Sequence, residues 1–214
     1  MNSAVIVAGG TGSRMEGDIP KQFIKLKGEE ILSYSVTTFL NHPQIGEVVI
    51  VCHPNWIEHV KSKYPECIII AGGKRRQDSS LNGVKTTSHD AEIVLIHDAA
   101  RPFVSESIIT DCLNALENSD GSAPILDSPN SLVKWDGTKA LRVNRSEIKI
   151  VQTPQCFRNE LILKALSAGI EGTDDIGMVL ETFPDSRLEF IKGSPLNNKI
   201  TTDLDLRYFS NLPD

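Results

Sequence analysis

"AVIVAGGTGSRM", residues 4–15, runs from five apolar residues straight into three glycines, a serine and an arginine. Ala4 to Ala8 read as a short β-strand, and Gly9, Gly10 and Gly12 allow positive φ and a close backbone approach to a ligand. With Thr11 among them, this is the build of an oxyanion loop. Inward-turned N–H groups form the nest, and Arg14 adds a charge-assisted contact to phosphate. An ordinary strand-to-loop turn has a similar composition, so the neighbouring residues must decide. The stretch lacks a G-K-[ST] ending, which excludes a Walker A loop, and its G-G-x-G-x-R spacing is not the dinucleotide fingerprint. "DIPKQF" (18–23) then brings Lys21 seven residues after Arg14, with Pro20 stiffening the approach. Two cations on one glycine loop point to a triphosphate.

Bulk properties agree with a small enzyme. A chain of 214 residues is expected to form one domain, 1–214, and to bury roughly 70% of its unfolded surface. A formal net charge of −6 argues against non-specific nucleic-acid or anionic-membrane partners. Cys52, Cys67, Cys112 and Cys156 form no C-x-x-C pair and read as thiols in a reducing compartment. The five histidines show no H-E-x-x-H spacing. Without a basic segment followed by an apolar one at the start, and without an apolar run of ~18 residues, the expected location is the cytoplasm.

Outward from the first loop, apolar runs alternate with helix-length segments. "EVVIVC" (47–52), "CIIIA" (67–71) and "EIVLIH" (92–97) read as buried strands of a parallel sheet covered on both faces. Between them "EILSYSVTTFLNH", "PNWIEHVKSKY" and "QDSSLNGVKTTS" have helical length. The expected fold is α/β: an open, doubly wound, mostly parallel sheet with its ligand outside the carboxyl ends of the strands. The rhythm breaks near residue 120. "NSLVKWDGTKALRV" centres on Asp136-Gly137, a tight-turn dipeptide, and predicts a hairpin within about 128–147. It is either an edge of the main sheet or, the preferred reading, an arm reaching a second subunit. "SRLEFIKG" supplies a further strand, and a C-terminal helix is expected near 202–210.

Three further stretches carry chemistry. "IHDAARPF" puts Asp98 at the carboxyl end of a strand before two small residues, Ala99 and Ala100, where a hard carboxylate suits Mg²⁺ held jointly with phosphates. A structural turn cap is the competing reading. "GGKRRQDSS" (72–80) is a second Gly-Gly loop, rich in cations, ending in Ser79 and Ser80 at an expected helix start where N–H groups and hydroxyls can bind a base or ribose, although a solvated basic turn has the same look. "RSEIKIVQTPQCF" and "NNKITTDLDL" are expected to bring Arg145 and Lys199 to one face.

Taken in order, "AGGTGSRM", "PKQF", "HDAARPF", "QTPQCF", "TDD" and "NKITT" resemble the cytidylyltransferases that activate small polyol phosphates, nearly end to end. Two groups are similar: 2-C-methyl-D-erythritol 4-phosphate cytidylyltransferases of isoprenoid synthesis and ribitol-5-phosphate cytidylyltransferases of wall or capsule synthesis. The resemblance implies a Rossmann-like, GT-A-like nucleotidyltransferase in which CTP lies on the glycine loop and the acceptor's phosphate displaces pyrophosphate from the α-phosphorus. It implies that Arg14 and Lys21 neutralise the triphosphate, that Lys199 faces the α-phosphate, and that Mg²⁺ sits near Asp98. Cytosine and ribose are assigned to Ser79 and the backbone near Ala8, Gly9 and Gly73. By the same resemblance Arg145 binds the acceptor's phosphate, Thr153 and Thr173 lie nearby, and the arm is exchanged in a homodimer, so that Arg101 or the arm completes the partner's site.

Some residues depart from the erythritol-phosphate pattern. Ser131-Leu132 stand before Val133-Lys134 where an Asp-Thr pair is usual, and Leu196 and Asn198 replace an acidic and an apolar residue. "HDAARPF" leans towards the erythritol group, and "NKITTDLDL" and the "NW" of "CHPNWIEHV" towards the ribitol group. 2-C-methyl-D-erythritol 4-phosphate is the first expectation for the acceptor. A catalytically silent nucleotide-binding regulator is the expectation from another class, and it predicts damage at cations that are all present.

Overall fold

In the computed structural model, residues 1–10 and 19–212 are described; Thr11, Gly12 and Arg14 therefore lie outside the described residues. In chain order the elements are β1 (Asn2–Ala8), β2 (Lys25–Leu26), β3 (Glu29–Glu30), α1 (Ile31–Asn41), β4 (Glu47–Cys52), α2 (Ile57–Lys63), β5 (Ile68–Ala71), α3 (Arg76–Thr86), β6 (Ile93–Asp98) and α4 (Glu106–Ala115). They continue as β7 (Gly121–Asp127), β8 (Val133–Trp135), β9 (Ala140–Arg142), β10 (Lys149–Val151), β11 (Gln155–Arg158), α5 (Asn159–Ser167), α6 (Asp175–Thr182), β12 (Leu188–Lys192) and α7 (Asp203–Ser210).

The main sheet has the order β10-β7-β11-β6-β1-β4-β5, with β12 also paired to β7. β5, β4, β1 and β6 are parallel neighbours, whereas β11 runs antiparallel to both β6 and β7. Successive residues of the parallel strands feed opposite faces, because side chains alternate across a strand. Ile6, Ile50 and Leu95 pack under α1, α2 and α4, and Val5, Val49, Val94 and Ile96 pack under α3, α5 and α6. Both faces are covered, as the unbroken Val/Ile runs require. β5 is the exception: it is the edge, and its Ile68 is exposed.

Chain order fixes where a ligand can enter. From β1 the chain moves to β4 and β5 on one side, then crosses back to place β6 on the other side of β1. That reversal opens a crevice at the carboxyl ends of β1 and β6, where Ala8 and Asp98 end their strands. The helix that crosses back, α3, is drawn close to the sheet by Gly83. A Cβ there would fall inside the contact radius of Val5 Cγ1 and lie 2.9 Å from Val51 Cγ2.

β8 and β9 form their own two-stranded ribbon and are not an edge of the main sheet. Gly137 takes a φ of 98°, and Asp136 Oδ1 accepts from the N–H groups of Thr138 (2.9 Å) and Lys139 (2.8 Å), which closes the turn.

The end of β6 is locked by His97, which is fully buried. Its Nε2 lies 3.1 Å from the Arg101 carbonyl, which only accepts, so the proton resides on Nε2. Nδ1 then accepts from the Thr153 hydroxyl at 3.1 Å, while Thr153 Oγ1 accepts from the Asp98 N–H at 3.1 Å. The chain of bonds needs a neutral imidazole, and burial pushes the His97 pKa down from 6.5 to about 4.

Two outcomes follow for stability. Gly83→Ala should cost about 1–3 kcal/mol in urea unfolding, since the added methyl overpacks two valines; an unchanged midpoint would show that α3 can shift freely. Because unfolded His97 takes up a proton that folded His97 refuses, stability should fall as pH drops from about 6.5 towards 4, by about 3 kcal/mol at most. Thermal melting of the native protein and His97→Gln across that window checks this: the variant's slope should be flatter, and equal slopes would remove His97 as the cause.

Candidate functional site

Two adjoining pockets open at the crevice. The first, about 340 Å³, is lined by Ala8, Gly9, Gly10, Lys21, Gly73, Ser79, Asp98, Ala99 and Lys199, so it gathers every described residue that the sequence assigned to the nucleotide. The second, about 320 Å³, is lined by Arg101, Thr153 and Thr173, three of the four residues assigned to the acceptor. Arg76, Asp98 and Lys199 line both and form the wall between them.

The first pocket is assembled by short-range chemistry. Gln22, buried on the 3₁₀ turn Lys21–Phe23, donates from Nε2 to the carbonyls of Ala8 (2.7 Å) and Gly10 (3.0 Å), tying the turn beneath the glycine loop. Phe23 stacks on Trp56 with centroids 4.1 Å apart. Lys21 Nζ donates to the Ile200 carbonyl at 2.8 Å, so the turn also meets the segment that carries Lys199. On the far wall Ser79 Oγ accepts from Gly73 N–H at 3.0 Å, and the Asp78 carboxylate accepts from Arg75 N–H at 3.0 Å, holding the second glycine loop against the start of α3. A Cβ on Gly73 would collide with Asp78.

Charge is concentrated in the shared wall. Asp98 Oδ1 receives Arg76 Nε at 3.0 Å, Oδ2 receives Lys199 Nζ at 2.8 Å, and Arg101 Nε stands 3.7 Å from Oδ2. Burial would push the Asp98 carboxyl up, but Arg76, Lys199 and Arg101 together hold it well below the usual carboxylate range. Arg76 reaches a second carboxylate, with Nη2 2.9 Å from Oδ2 of the fully buried Asp175. Burial raises the Asp175 pKa against the opposing pull of Arg76.

The second pocket is held by buried amides. Gln152 Nε2 donates to the carbonyls of Ser194 (2.9 Å) and Asn197 (3.1 Å), and Arg101 Nη1 donates to the Asn197 carbonyl at 2.9 Å. Gln155 Oε1 accepts from the N–H groups of Asp175 and Ile176, both at 2.9 Å, anchoring α6 to the sheet. The Thr153 hydroxyl hydrogen is committed to His97, so this threonine meets the pocket as a fixed surface.

Arg145 is not brought to this face. It sits in an exposed 3₁₀ turn at the base of the arm, Nη1 donating to the Pro129 carbonyl at 3.4 Å, because the arm leaves the main sheet before the turn forms. Sequence reasoning also passed over Gln22, Arg76, Gln152 and Asp175. Each lies inside a motif already singled out, but only the fold reveals that Arg76 and Asp175 meet.

Comparisons with known proteins show the family and the fold. The family model described as "IspD: 2-C-methyl-D-erythritol 4-phosphate cytidylyltransferase" matches residues 2–210. A protein of that name from Clostridium botulinum (strain 657) is 42% identical, covering 96% of this chain and 94% of its own. One from Clostridium acetobutylicum is 40% identical over the same shares. Among solved structures, the 4-diphosphocytidyl-2C-methyl-D-erythritol synthase of Anaerococcus prevotii superposes with a TM-score of 0.87 at 25% identity, covering 97% of this chain and 93% of that one. The 2-C-methyl-D-erythritol 4-phosphate cytidylyltransferase of Thermus thermophilus gives 0.81 at 27% identity and 98% of both chains. The chain belongs to the IspD family of 2-C-methyl-D-erythritol 4-phosphate cytidylyltransferases.

Proposed function

We propose that this protein transfers the cytidylyl group of CTP to 2-C-methyl-D-erythritol 4-phosphate and releases pyrophosphate. The observation that carries the reading is the pair of pockets joined by one cationic wall, the first resting on the glycine loop. An oxygen of the acceptor's phosphate attacks the α-phosphorus in line. The bond from that phosphorus to the bridging oxygen breaks, and the oxygen leaves with pyrophosphate. The nucleophile is already an anion, so the site needs no general base, and positioning and charge neutralisation carry the catalysis.

In this reading Arg14 and Lys21 neutralise the triphosphate and Lys199 faces the α-phosphate. Gly9, Gly10, Thr11, Gly12, Gly73, Ser79 and Ala99 cradle the nucleotide. Arg101, Thr153 and Thr173 surround the acceptor. Arg145, outside the pockets of its own chain, serves the acceptor pocket of a second subunit, carried there by the arm. The arm supports this: Val133, Trp135 and Leu141 are 65%, 60% and 45% exposed on a ribbon that pairs only with itself, and an isologous dimer buries such a surface.

Magnesium fits the site on one condition. Asp98 is a hard carboxylate in the wall, but its oxygens hold Arg76 and Lys199 and no cluster of three His, Cys, Asp or Glu forms among the described residues, so a cation beside it would share that carboxylate with them and take its other ligands from phosphate oxygens and water, as Mg²⁺ commonly does. Bound there, it would offset the negative charge of the triphosphate. Cys52, Cys67, Cys112 and Cys156 are free, which supports a cytoplasmic setting, and among the described residues no helix is long and apolar enough to cross a membrane.

Pyrophosphate release, measured with CTP and a panel of polyol phosphates, tests the reading. Turnover should be fastest with 2-C-methyl-D-erythritol 4-phosphate; faster turnover with ribitol 5-phosphate would reassign the acceptor, and CTP binding without turnover would favour a regulator. Lys21→Ala should lower kcat by a factor on the order of 10²–10³ with the melting temperature nearly unchanged. An unaltered kcat would remove Lys21 from the transition state. Arg145→Ala should raise KM for the acceptor and leave KM for CTP alone, and the reverse pattern would move it to the nucleotide. Sedimentation should show a dimer at micromolar concentration that becomes a monomer when residues 130–143 are replaced by a short glycine linker. An intact protein that is already monomeric refutes the exchanged arm.

A further inference from the structure

The wall between the pockets contains a cation paired with two carboxylates. Arg76 is grasped from two sides, Nε by Asp98 at 3.0 Å and Nη2 by Asp175 at 2.9 Å. Carboxylates on two sides of one guanidinium hold its position from both, which a single ion pair with a lysine does not do. The side chain is still 25% exposed and borders both pockets.

Asp175, in the first turn of α6, has Arg76 as its ion-pair partner. It is fully buried, neither carboxylate oxygen has a well-aligned hydrogen-bond donor, and Arg76 forms its ion pair. A carboxylate in that position is costly to a fold unless it is paired, and here the pairing comes from Arg76. Its backbone is pinned as well, since Gln155 accepts from the Asp175 N–H. The arrangement holds one guanidinium on the wall that the two pockets share. A preorganised cation there meets charge as it develops, without reorganising.

We propose that Arg76 is a further catalytic residue of the transfer, contacting the non-bridging oxygens of the phosphorus that passes between the pockets, and that Asp175 is the positioning residue that fixes it. This rests on the cytidylyl-transfer reading above. Asp175 touches no substrate and acts only through Arg76.

The test is a double-mutant cycle with Arg76→Ala and Asp175→Asn in the full-length protein, with Arg76→Lys as a charge-keeping variant that does not leave both carboxylates unpaired. Folding is followed by melting temperature and CTP binding by calorimetry. Arg76→Ala should lower kcat by about 10²–10³-fold and Asp175→Asn by about 10–100-fold, with both KM values within about threefold of the native enzyme. In the Arg76→Ala background, Asp175→Asn should then change kcat less than about twofold, because its route is gone. Arg76→Lys should stay folded and remain slow. With the two diastereomers of CTP bearing sulfur at the α-phosphorus, the rate ratio should change in the Arg76 variants, a response that a purely structural role does not produce. Multiplying, independent effects, an unmoved diastereomer ratio or a native kcat in Arg76→Lys would each overturn the proposal. A native enzyme that turns over no polyol phosphate would overturn the transfer reading and this proposal with it, whereas an active native enzyme with unaffected Arg76 variants would overturn this proposal alone.

Discussion

A single buried carboxylate, Asp98 at the end of β6, organises the site by drawing in cations from three stretches of chain, two of them distant in sequence. Arg76 comes from α3, Arg101 from the turn after β6, and Lys199 from the segment before α7. Buried ion pairs seldom stabilise a fold relative to apolar packing, because desolvation offsets the attraction. Asp98, Asp175, Arg76, Arg101 and Lys199 together leave the wall with an excess of positive charge, and it stands between the two pockets, where the proposed transfer would bring two phosphorylated ligands together.

The sheet makes that meeting place. The reversal of strand order at β1 opens the crevice, and the insertion of the antiparallel β11 beside β6 brings Thr153 and Gln155 to the end of β6. The neutral His97 then joins β6, Thr153 and the Arg101 turn through hydrogen bonds of fixed direction. Sheet topology, a buried imidazole and the carboxylate–cation cluster are thus successive layers of one construction, each holding the next.

Much of this was legible in the sequence, for identifiable reasons. The runs 47–52 and 92–97 declare buried parallel strands because β-branched residues fill both faces, and Asp136-Gly137 declares a turn by its backbone preference. The glycine loop, Lys21 and Asp98 could be read from residue type and spacing and Lys199 from the expected winding of the sheet and the family resemblance, and the pocket brings the described ones together. What escaped depends on distant contacts. "QCFR" has no period that marks an antiparallel strand, the run 67–71 looks as buried as its neighbours although it forms the sheet edge, and nothing local to Arg76 or Asp175 announces that they pair. Arg145 sits in an exposed turn at the base of the arm, away from both pockets, and its sequence neighbours give no sign of that separation.

The most direct measurement of the central claim is a crystal structure of the protein with an α,β-methylene analogue of CTP and 2-C-methyl-D-erythritol 4-phosphate bound together. The account predicts the triphosphate on Gly9 and Gly10 beside Lys21, the acceptor's phosphate between Arg101, Thr153 and Thr173, and the α-phosphorus against the wall of Arg76, Asp98 and Lys199. Both ligands in one pocket, or an α-phosphorus turned away from that wall, would contradict it.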